Sequence, residues 1–215
     1  SAAAAGCNKV TMDDLQAARR MVRFGARDEE LSVDADELRG TAIHECGHAL
    51  AHLILRPGRR IDYLTILPTE GGVLGFLAPE AVESRNVATR AEIEADVMVS
   101  LAGREAEALI LGEENVSNGA SSDLMHATAH LARAIGNWGM DNEWGLLSLS
   151  GLPQGNQPPS LATAVKSWLE VLRNRTRETL AQNTTLLTGL SDLLQKNESL
   201  EWAEIEAFLA ESRDH

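Results

Sequence analysis

The stretch TAIHECGHAL at residues 41–50 decides how the chain is organised around its chemistry. It places His44 and His48 four positions apart, and positions i and i+4 of an α-helix lie on one face. Two imidazole nitrogens arranged in this way can reach one Zn²⁺ at about 2.0–2.1 Å. Glu45 lies on the flank of the same face, where it can accept a proton from a water that the metal activates. The stretch therefore predicts a zinc-binding helix that carries its own general base.

Three other residues of this helix receive structural interpretations. Gly47 has no side chain, which we expect to leave room for close approach on the metal side. Cys46 points about 200° away from His44 around the helix axis, so we expect it to pack in the core. His52 lies about 6 Å further along the axis than His48, too far for one metal to bridge all three histidines. We therefore expect His52 to be a satisfied or surface residue.

A catalytic zinc needs a third protein ligand and an open fourth position. The residues downstream of the helix leave two alternatives open. One is a glutamate on a later helix, for which Glu92, Glu94 and Glu107 are candidates. The other is an aspartate at the start of a helix, and Asp123 fits that description. Either carboxylate would complete a ligand set typical of catalytic zinc.

Outward from this helix the sequence predicts a mainly α-helical fold with a small β-sheet. Apolar spacing, capping residues and stop residues place seven helices along the chain. Their bounds are about 11–25, 32 or 34 to 55, 89–111, 121 to 136 or 137, 160–183, 184–195 and 201–211. The apolar and partly β-branched runs at 61–67 and 73–78 are interpreted as two short strands joined by a turn.

The composition disfavours several classes of protein. A net charge of −13 disfavours nucleic acid as a partner, because phosphate binding requires clustered Lys and Arg. Two cysteines are too few for a disulfide framework or a cysteine zinc site, and a reducing compartment is the simpler expectation. No apolar run in the sequence approaches the roughly 18 to 20 residues that a membrane-spanning helix needs.

Four segments together resemble the peptidase domain of FtsH-type ATP-dependent zinc metalloproteases. TAIHECGHAL resembles the zinc helix of that family, and LAGREAEALILG (101–112) resembles its second helix. VSNGASSDLMHATAHLAR (116–133) resembles the segment with the third ligand, and WGMDNEWG (138–145) the turn after it. The resemblance is strong over residues 38–146 and weaker over 175–209. Cys46, Ser122 and Asp141 depart from the residues usual in the family, which indicates a divergent member.

The resemblance implies a helical protease domain with a zincin-like HExxH helix and one Zn²⁺ per chain. It implies that Asp123, 75 residues after His48, is the third zinc ligand. It also implies that Glu107 orients a zinc-bound histidine, as carboxylates do in many zinc sites. His126 and His130 follow Asp123 on one helix face and are interpreted as structural or supporting residues.

The segment TILPTEGGVLGF (65–76) resembles the edge strand that lies beside the zinc in the family. An exposed sheet edge can pair with an extended peptide through main-chain hydrogen bonds, which would bind many sequences. We therefore expect Gly72, Val73, Leu74 and Gly75 to form a substrate-binding edge.

The resemblance also extends to the organisation of a longer protein. Residues 1–25 resemble the end of an ATPase module and a linker, and residues 26–215 the peptidase domain, with a C-terminal helical part at about 160–211. The chain contains no GxxxxGK[ST] loop, so ATP is expected to act only through a module outside it. The family implies a homo-hexamer on the cytoplasmic side, anchored in the inner membrane through upstream sequence, while the chain itself is expected to be soluble.

The function expected from these features is hydrolysis of peptide bonds in unfolded polypeptides, with Glu45 as general base. The alternative is a non-catalytic scaffold or adaptor module of the same fold. The intact Glu45 weighs against that alternative, because a structural metal site has no need of a base. A third interpretation is a stand-alone peptidase with a glutamate ligand and no ATPase.

Overall fold

A computed structural model of the chain describes Thr11 and residues 34–68, 74–80, 87–152 and 160–212. The described helices are α1 (Ala35–Leu55), α2 (Arg90–Leu111), α3 (Ser121–Gly136), α4 (Ser160–Ala181), α5 (Thr184–Asn197) and α6 (Trp202–Glu211). The described strands are β1 (Ile61–Pro68), β2 (Leu74–Pro79) and β3 (Ser199–Glu201). Short 3₁₀ helices occupy Glu113–Asn115 and Leu149–Gly151. The prediction of a mainly helical fold with a small sheet is confirmed.

Local sequence signals set the limits of α2. The Thr89 hydroxyl accepts a hydrogen bond from the Glu92 backbone N–H, and the Glu92 carboxylate accepts one from the Thr89 backbone N–H. This capping box satisfies two amides that the first helical turn would otherwise leave without partners. The helix ends at Gly112, whose φ of 94° is accessible to glycine at little cost. The predicted bounds of 89–111 are therefore confirmed to within one residue.

Helix α1 lies between the other elements, and every residue from Ala42 to His52 is buried. It packs against α2, α5 and the sheet. Helix α2 approaches closely at Gly47, where an added Cβ would lie 2.5 Å from the carbonyl oxygen of Ala102 and 2.6 Å from the Cβ of Ala106. The expectation that Gly47 leaves room on the metal side is therefore wrong, since its small size serves helix packing.

The sheet is antiparallel, with β1 between β2 and β3. Tyr63 lies opposite Ala78 on β2 and opposite Glu201 on β3. Among the described strands, β2 pairs on one side only, so its other side is the sheet edge expected from the sequence. Strand β3 was not predicted, because three residues are too few to display an alternating pattern.

Two groups of buried side chains hold these elements together. The first lies among α1, the sheet and the C-terminal helices, and its buried members include Cys46, Leu50, Leu64, Leu180, Leu187, Leu190, Leu194 and Leu200. The second lies among α2, α3 and α4, with Val97, Leu101, Leu131, Ile135, Trp168 and Leu172. Cys46 is 0% exposed, which confirms that it packs in the core.

The helix expected at about 11–25, and the whole segment 1–25 apart from Thr11, lie outside the described residues. Within the described ranges, none of the helices combines the length and apolar character that crossing a bilayer requires.

Candidate metal centre

Helix α1 turns His44 and His48 toward the same cavity. Their rings lie 4.7 Å apart between centroids at an angle of 78°, and their Nε2 atoms are separated by 3.0 Å. Each residue is only 8% exposed. This is the geometry expected of two histidines one helical turn apart that face a common centre.

The outer nitrogen of each ring has a fixed hydrogen-bond partner. Nδ1–H of His44 donates to Oε1 of Glu107 at 2.5 Å, and Nδ1–H of His48 donates to the backbone oxygen of Val99 at 2.7 Å. A carbonyl oxygen can only accept, so Nδ1 of His48 carries a proton. When both rings are neutral, as metal ligation requires, each ring keeps its one proton on Nδ1 and its Nε2 presents a lone pair to the cavity.

Asp123 completes the group from the first turn of α3. Its Oδ2 lies 3.3 Å from Nε2 of His44 and 3.4 Å from Nε2 of His48. A tetrahedral zinc with bonds of about 2.0–2.1 Å separates its ligand atoms by about 3.3 Å. Three electron-rich atoms at these separations need a positive charge between them, and a divalent cation fits.

The competing carboxylates are engaged elsewhere. Glu92 caps α2, and Glu94 forms ion pairs with Arg90 and Arg175. Glu107 lies on the outer nitrogen of His44 rather than beside Nε2. Among the described His, Cys, Asp and Glu residues, the group placed to hold a metal ion is His44, His48 and Asp123.

The electrostatics of the centre favour positive charge. Burial disfavours a charged His44 ring, but hydrogen bonds to Asp123 and Glu107 outweigh it and raise the pKa of His44 to about 10. Burial alone would raise the pKa of Asp123, yet hydrogen bonds from His44 and His48 hold it well below its usual range. A site that draws a proton onto an imidazole will also attract a metal cation.

Glu45 faces the same cavity, which has a volume of about 810 Å³ and is lined by the three clustered residues. It is 7% exposed. Burial raises the pKa of Glu45, while the neighbouring His48 and His44 rings oppose the rise. A carboxylate in this environment is a stronger proton acceptor than one in water.

Sequence reasoning missed the residue that fixes Glu107. The backbone N–H of Ser117 donates to Oε2 of Glu107 at 2.6 Å, and its hydroxyl donates to Oε1 at 3.2 Å. These hydrogen bonds connect the loop before α3 to the His44 ring through Glu107. The available signal was the position of Ser117 in the segment 116–133, which also carries Asp123.

Sequence reasoning also missed Gly103 of α2. A Cβ at this position would lie 2.5 Å from Nε2 of His44 and 2.6 Å from Nε2 of His48. The sequence analysis attributed the space beside the imidazoles to Gly47. The structure shows that Gly103 provides this space.

The edge strand borders the cavity through Gly75, Phe76 and Leu77. Gly75 has a φ of +73°, and a Cβ there would lie 2.8 Å from Cγ2 of Thr41 and 3.0 Å from Cγ of Glu45. Leu74 begins β2. The other two predicted edge residues, Gly72 and Val73, lie outside the described residues.

The other described histidines, His52, His126 and His130, are not part of the converging group. His126 is exposed and lines the cavity, and its ring lies 4.9 Å from that of His130. His52 is 3% exposed, and its Nε2 has no hydrogen-bond partner among the described residues. His52 is therefore not a surface residue, and the expectation that it is satisfied is met only at Nδ1, which lies 3.5 Å from Nη1 of Arg56.

Comparison with known proteins gives a family for this arrangement. The model of the family described as Peptidase family M41 matches residues 31–208. This range contains α1 to α5, β1 to β3 and the first seven residues of α6, together with each residue of the cavity described above.

Individual relatives agree with the family match. The chain is 34% identical over 166 residues to the ATP-dependent zinc metalloprotease FtsH of Lachnoclostridium phytofermentans, covering 77% of this chain and 28% of the relative. It is 38% identical over 176 residues to FtsH 1 of Symbiobacterium thermophilum, covering 81% and 29%. It is 30% identical over 220 residues to YME1L of Drosophila melanogaster, covering 99% and 30%. The chain thus spans less than a third of the length of these relatives.

Proposed function

The chain belongs to peptidase family M41, as an FtsH-type peptidase domain, and on this premise we propose that it is the zinc-dependent endopeptidase part of an ATP-dependent protease. The observation that carries the proposal is the convergence of His44, His48 and Asp123 beside Glu45. The names of the relatives, all ATP-dependent zinc metalloproteases, support it.

Three atoms would hold the zinc: Nε2 of His44, Nε2 of His48 and Oδ2 of Asp123. Bound zinc supplies a Lewis acid that polarises the scissile carbonyl and lowers the pKa of the attacking water. Three protein ligands leave a fourth position open for chemistry, as catalytic zinc sites require.

Glu45 is the proposed general base. Its carboxylate takes a proton from the attacking water and later delivers it to the leaving amine. Because Glu45 is buried, little water solvates its carboxylate, and the proton affinity of the carboxylate is higher than in water. Among the described carboxylates, Glu107 is the one other group that is equally buried and lines the same cavity. Its oxygens already accept hydrogen bonds from His44 and Ser117.

Glu107 and the Val99 carbonyl act as orienting groups. Each accepts a hydrogen bond from an outer imidazole nitrogen and thereby fixes the tautomer that leaves Nε2 free. Ser117 in turn restrains Glu107. Such support typically changes metal affinity by about 10- to 100-fold.

The proposed substrates are unfolded polypeptides that bind as an added strand along the free edge of β2. This edge borders the cavity, so a peptide paired with it would pass close to Glu45. The relatives' names, together with their greater length, support the further proposal that an ATPase module outside this chain delivers the substrate. A homo-hexamer with a membrane anchor outside these residues completes the proposed assembly.

The test is cleavage of denatured casein by the zinc-loaded chain. We expect cleavage to stop when a chelator removes the metal and to return when zinc, but not magnesium, is added back, because imidazole nitrogens suit zinc and not magnesium. Fragment release is followed by gel electrophoresis and mass spectrometry.

Two results would redirect the proposal. A folded, zinc-loaded chain that leaves casein and short peptides intact would favour the non-catalytic scaffold. Full zinc affinity in Asp123→Ala would favour a glutamate ligand and the stand-alone peptidase, whereas the proposal expects affinity to fall by at least about tenfold.

A further inference from the structure

A network of ion pairs joins α4 to the segment that follows α2. Glu113 begins the 3₁₀ helix after α2, and its Oε1 accepts hydrogen bonds from Nη1 of Arg177 at 2.8 Å and from Nη2 of Arg173 at 3.1 Å. Nη2 of Arg104 donates to its Oε2 at 3.5 Å. The hydrogen bond from Arg177 and the charges of Arg104 and Arg173 hold the pKa of Glu113 below its usual range, so the carboxylate is charged at neutral pH.

Glu105 anchors this network in the interior. This residue of α2 is 1% exposed, and its Oε1 accepts hydrogen bonds from Nη1 of Arg104 at 2.9 Å and from Nε of Arg173 at 2.8 Å. Arg173 therefore bridges the buried Glu105 and the exposed Glu113 with two nitrogens of one guanidinium. An isolated surface ion pair restrains little, whereas a planar guanidinium with two fixed partners restricts their relative positions.

Glu113 begins the short connection that leads to Ser117, and three residues separate the two. The turn between them is closed by its own hydrogen bonds. The backbone N–H of Asn115 donates to the Gly112 oxygen at 3.0 Å, and its side-chain Nδ2 donates to the Leu111 oxygen at 2.8 Å. Because these bonds stiffen the turn, a displacement of Glu113 is passed on to Ser117.

The inner side of the same connection supports the metal centre. The backbone N–H of Ser117 donates to Oε2 of Glu107 at 2.6 Å, and Oε1 of Glu107 accepts from Nδ1 of His44 at 2.5 Å. Asn115 and Ser117 also line the cavity that contains the clustered ligands. The partner of the outer nitrogen sets the orientation of a ligating imidazole. The position of this connection therefore influences where Nε2 of His44 lies.

We propose that Glu113 is a positioning residue of the metal centre, fixed in place by Arg173 and Arg177 of α4. The inference rests on the proposed zinc site and not on cleavage. None of the described residues of α4 lines the cavity, so this helix acts on the centre through the connection alone. When the charge of Glu113 is removed, the guanidiniums no longer hold the connection. Ser117 then restrains Glu107 less, and the His44 ring gains freedom to turn.

Glu113→Gln is the test, because it preserves the size of the side chain and removes its charge at an exposed position. The first measurement is hydrogen exchange of the Ser117 amide in the metal-free chain by nuclear magnetic resonance. We expect exchange to be at least about threefold faster in the variant, since a less restrained amide opens more often. The second measurement is zinc affinity by competition with a chromophoric chelator. We expect a loss of about three- to tenfold, less than is typical for a residue that contacts a ligand directly.

Glu94→Gln is the matched control. Glu94 lies on α2 and accepts hydrogen bonds from two arginines, Arg175 of α4 at 2.7 Å and Arg90 at 3.1 Å. The control removes one negative charge and one contact between α2 and α4, as the test variant does, but at the other end of α2. Its Ser117 exchange and its zinc affinity should equal those of the parent chain.

Arg177→Gln tests the same network from α4. Nη1 of Arg177 lies 2.8 Å from Glu113 and 3.9 Å from Glu105, which keeps its hydrogen bonds from two other arginines. No buried carboxylate therefore loses a hydrogen bond in this variant. We expect faster Ser117 exchange and weaker zinc binding here too. The visible absorption spectrum of bound Co²⁺ should differ from that of the parent chain in both network variants, and should be unchanged in the control.

The inference requires both changes in Glu113→Gln. Unchanged Ser117 exchange or unchanged zinc affinity in that variant would overturn it, and so would equal changes in Glu94→Gln. Neither measurement uses cleavage, so a parent chain that binds zinc without cutting casein would contradict the proposed function alone.

Discussion

At the scale of single residues, the metal centre depends on groups that do not touch the metal position. The two imidazoles are fixed on their outer side by Glu107 and the Val99 carbonyl. On the α2 side they lie against Gly103, where there is space for a hydrogen atom and not for a methyl group. The positions of both Nε2 atoms are therefore determined by α2 as well as by α1.

We predict that Gly103→Ala weakens zinc binding by at least about tenfold, although alanine stabilises an isolated helix. The added methyl would lie 2.5 Å from His44 Nε2, so one imidazole must move. Zinc affinity is measured by competition with a chromophoric chelator, and helix content by circular dichroism.

Gly40→Ala is the control for this experiment, because a Cβ at Gly40 of α1 meets no atom within 4 Å. Its zinc affinity should equal that of the parent chain. Equal affinity in Gly103→Ala would show that the space beside the imidazoles is not required.

The residues of α1 were predictable from sequence because helical periodicity alone places His44 and His48 together. Asp123 was one of several candidates until the family resemblance singled it out, since only the packing of α3 on α2 brings it to the histidines. Ser117 and the Val99 carbonyl act largely through backbone groups. Backbone groups leave no residue-type signature, so they could not be identified from sequence.

At the scale of elements, β2 is placed against α1 by one glycine. Gly75 adopts a φ of +73°, and its backbone lies against Glu45, Thr41 and the Thr65 carbonyl oxygen. The pairing of β1 and β2 is irregular between Thr65 and Pro68, next to this contact. The proposed substrate-binding edge and Glu45, the proposed general base, are thus held at a fixed separation.

We predict that Gly75→Ala lowers kcat while zinc affinity is retained, because the methyl would displace β2 from Glu45 without touching the ligands. A left-handed conformation costs a non-glycine residue about 1–2 kcal/mol, so a moderate loss of stability is also expected. Steady-state kinetics and bound-zinc analysis are measured on the same preparation. Unchanged kcat would contradict a positioning role for this contact.

Helix and strand limits were predicted well where local chemistry determines them, as at the Thr89 capping box. They were missed where tertiary pairing determines them. Strand β3 has only three residues and exists because Leu200 pairs with Leu64 of β1. A cavity of about 530 Å³ between the C-terminal end of α1, the end of β2 and the start of α2 is likewise formed by three separate elements, so no local pattern could indicate it.

At the scale of the whole molecule, burial makes His52 sensitive to pH. Its pKa is about 4 in the folded chain and 6.5 for an unperturbed histidine. As the pH falls below 6.5, the unfolded chain therefore binds a proton before the folded chain does. The contribution of His52 to stability is complete above about pH 6.5 and is lost as the pH falls toward 4.

We predict that His52→Gln makes the free energy of unfolding less dependent on pH between 7 and 5. Urea unfolding of both proteins is measured with chelator present, so that metal binding does not contribute. The variant should gain stability relative to the parent chain as the pH falls.

Thr185→Gln is the control for this measurement, since Thr185 is exposed and carries no titratable group. Its stability curve should run parallel to that of the parent chain. A constant difference between His52→Gln and the parent chain at all pH values would contradict the assignment of His52 as a buried neutral ring.

The family match covers residues 31–208, and the start of the peptidase domain near residue 26 stays a prediction. The assembly, the delivery of substrate and the membrane association of a longer protein remain proposals, because the chain spans less than a third of its relatives' length.

The central claim is that one buried zinc and Glu45 together hydrolyse peptide bonds. The most direct measurement compares zinc content and casein turnover in the parent chain and in Glu45→Gln, with exposed Glu206→Gln as control. The account predicts equal zinc content in all three proteins, with turnover reduced at least about 100-fold in Glu45→Gln alone. Undiminished turnover in zinc-loaded Glu45→Gln would contradict it.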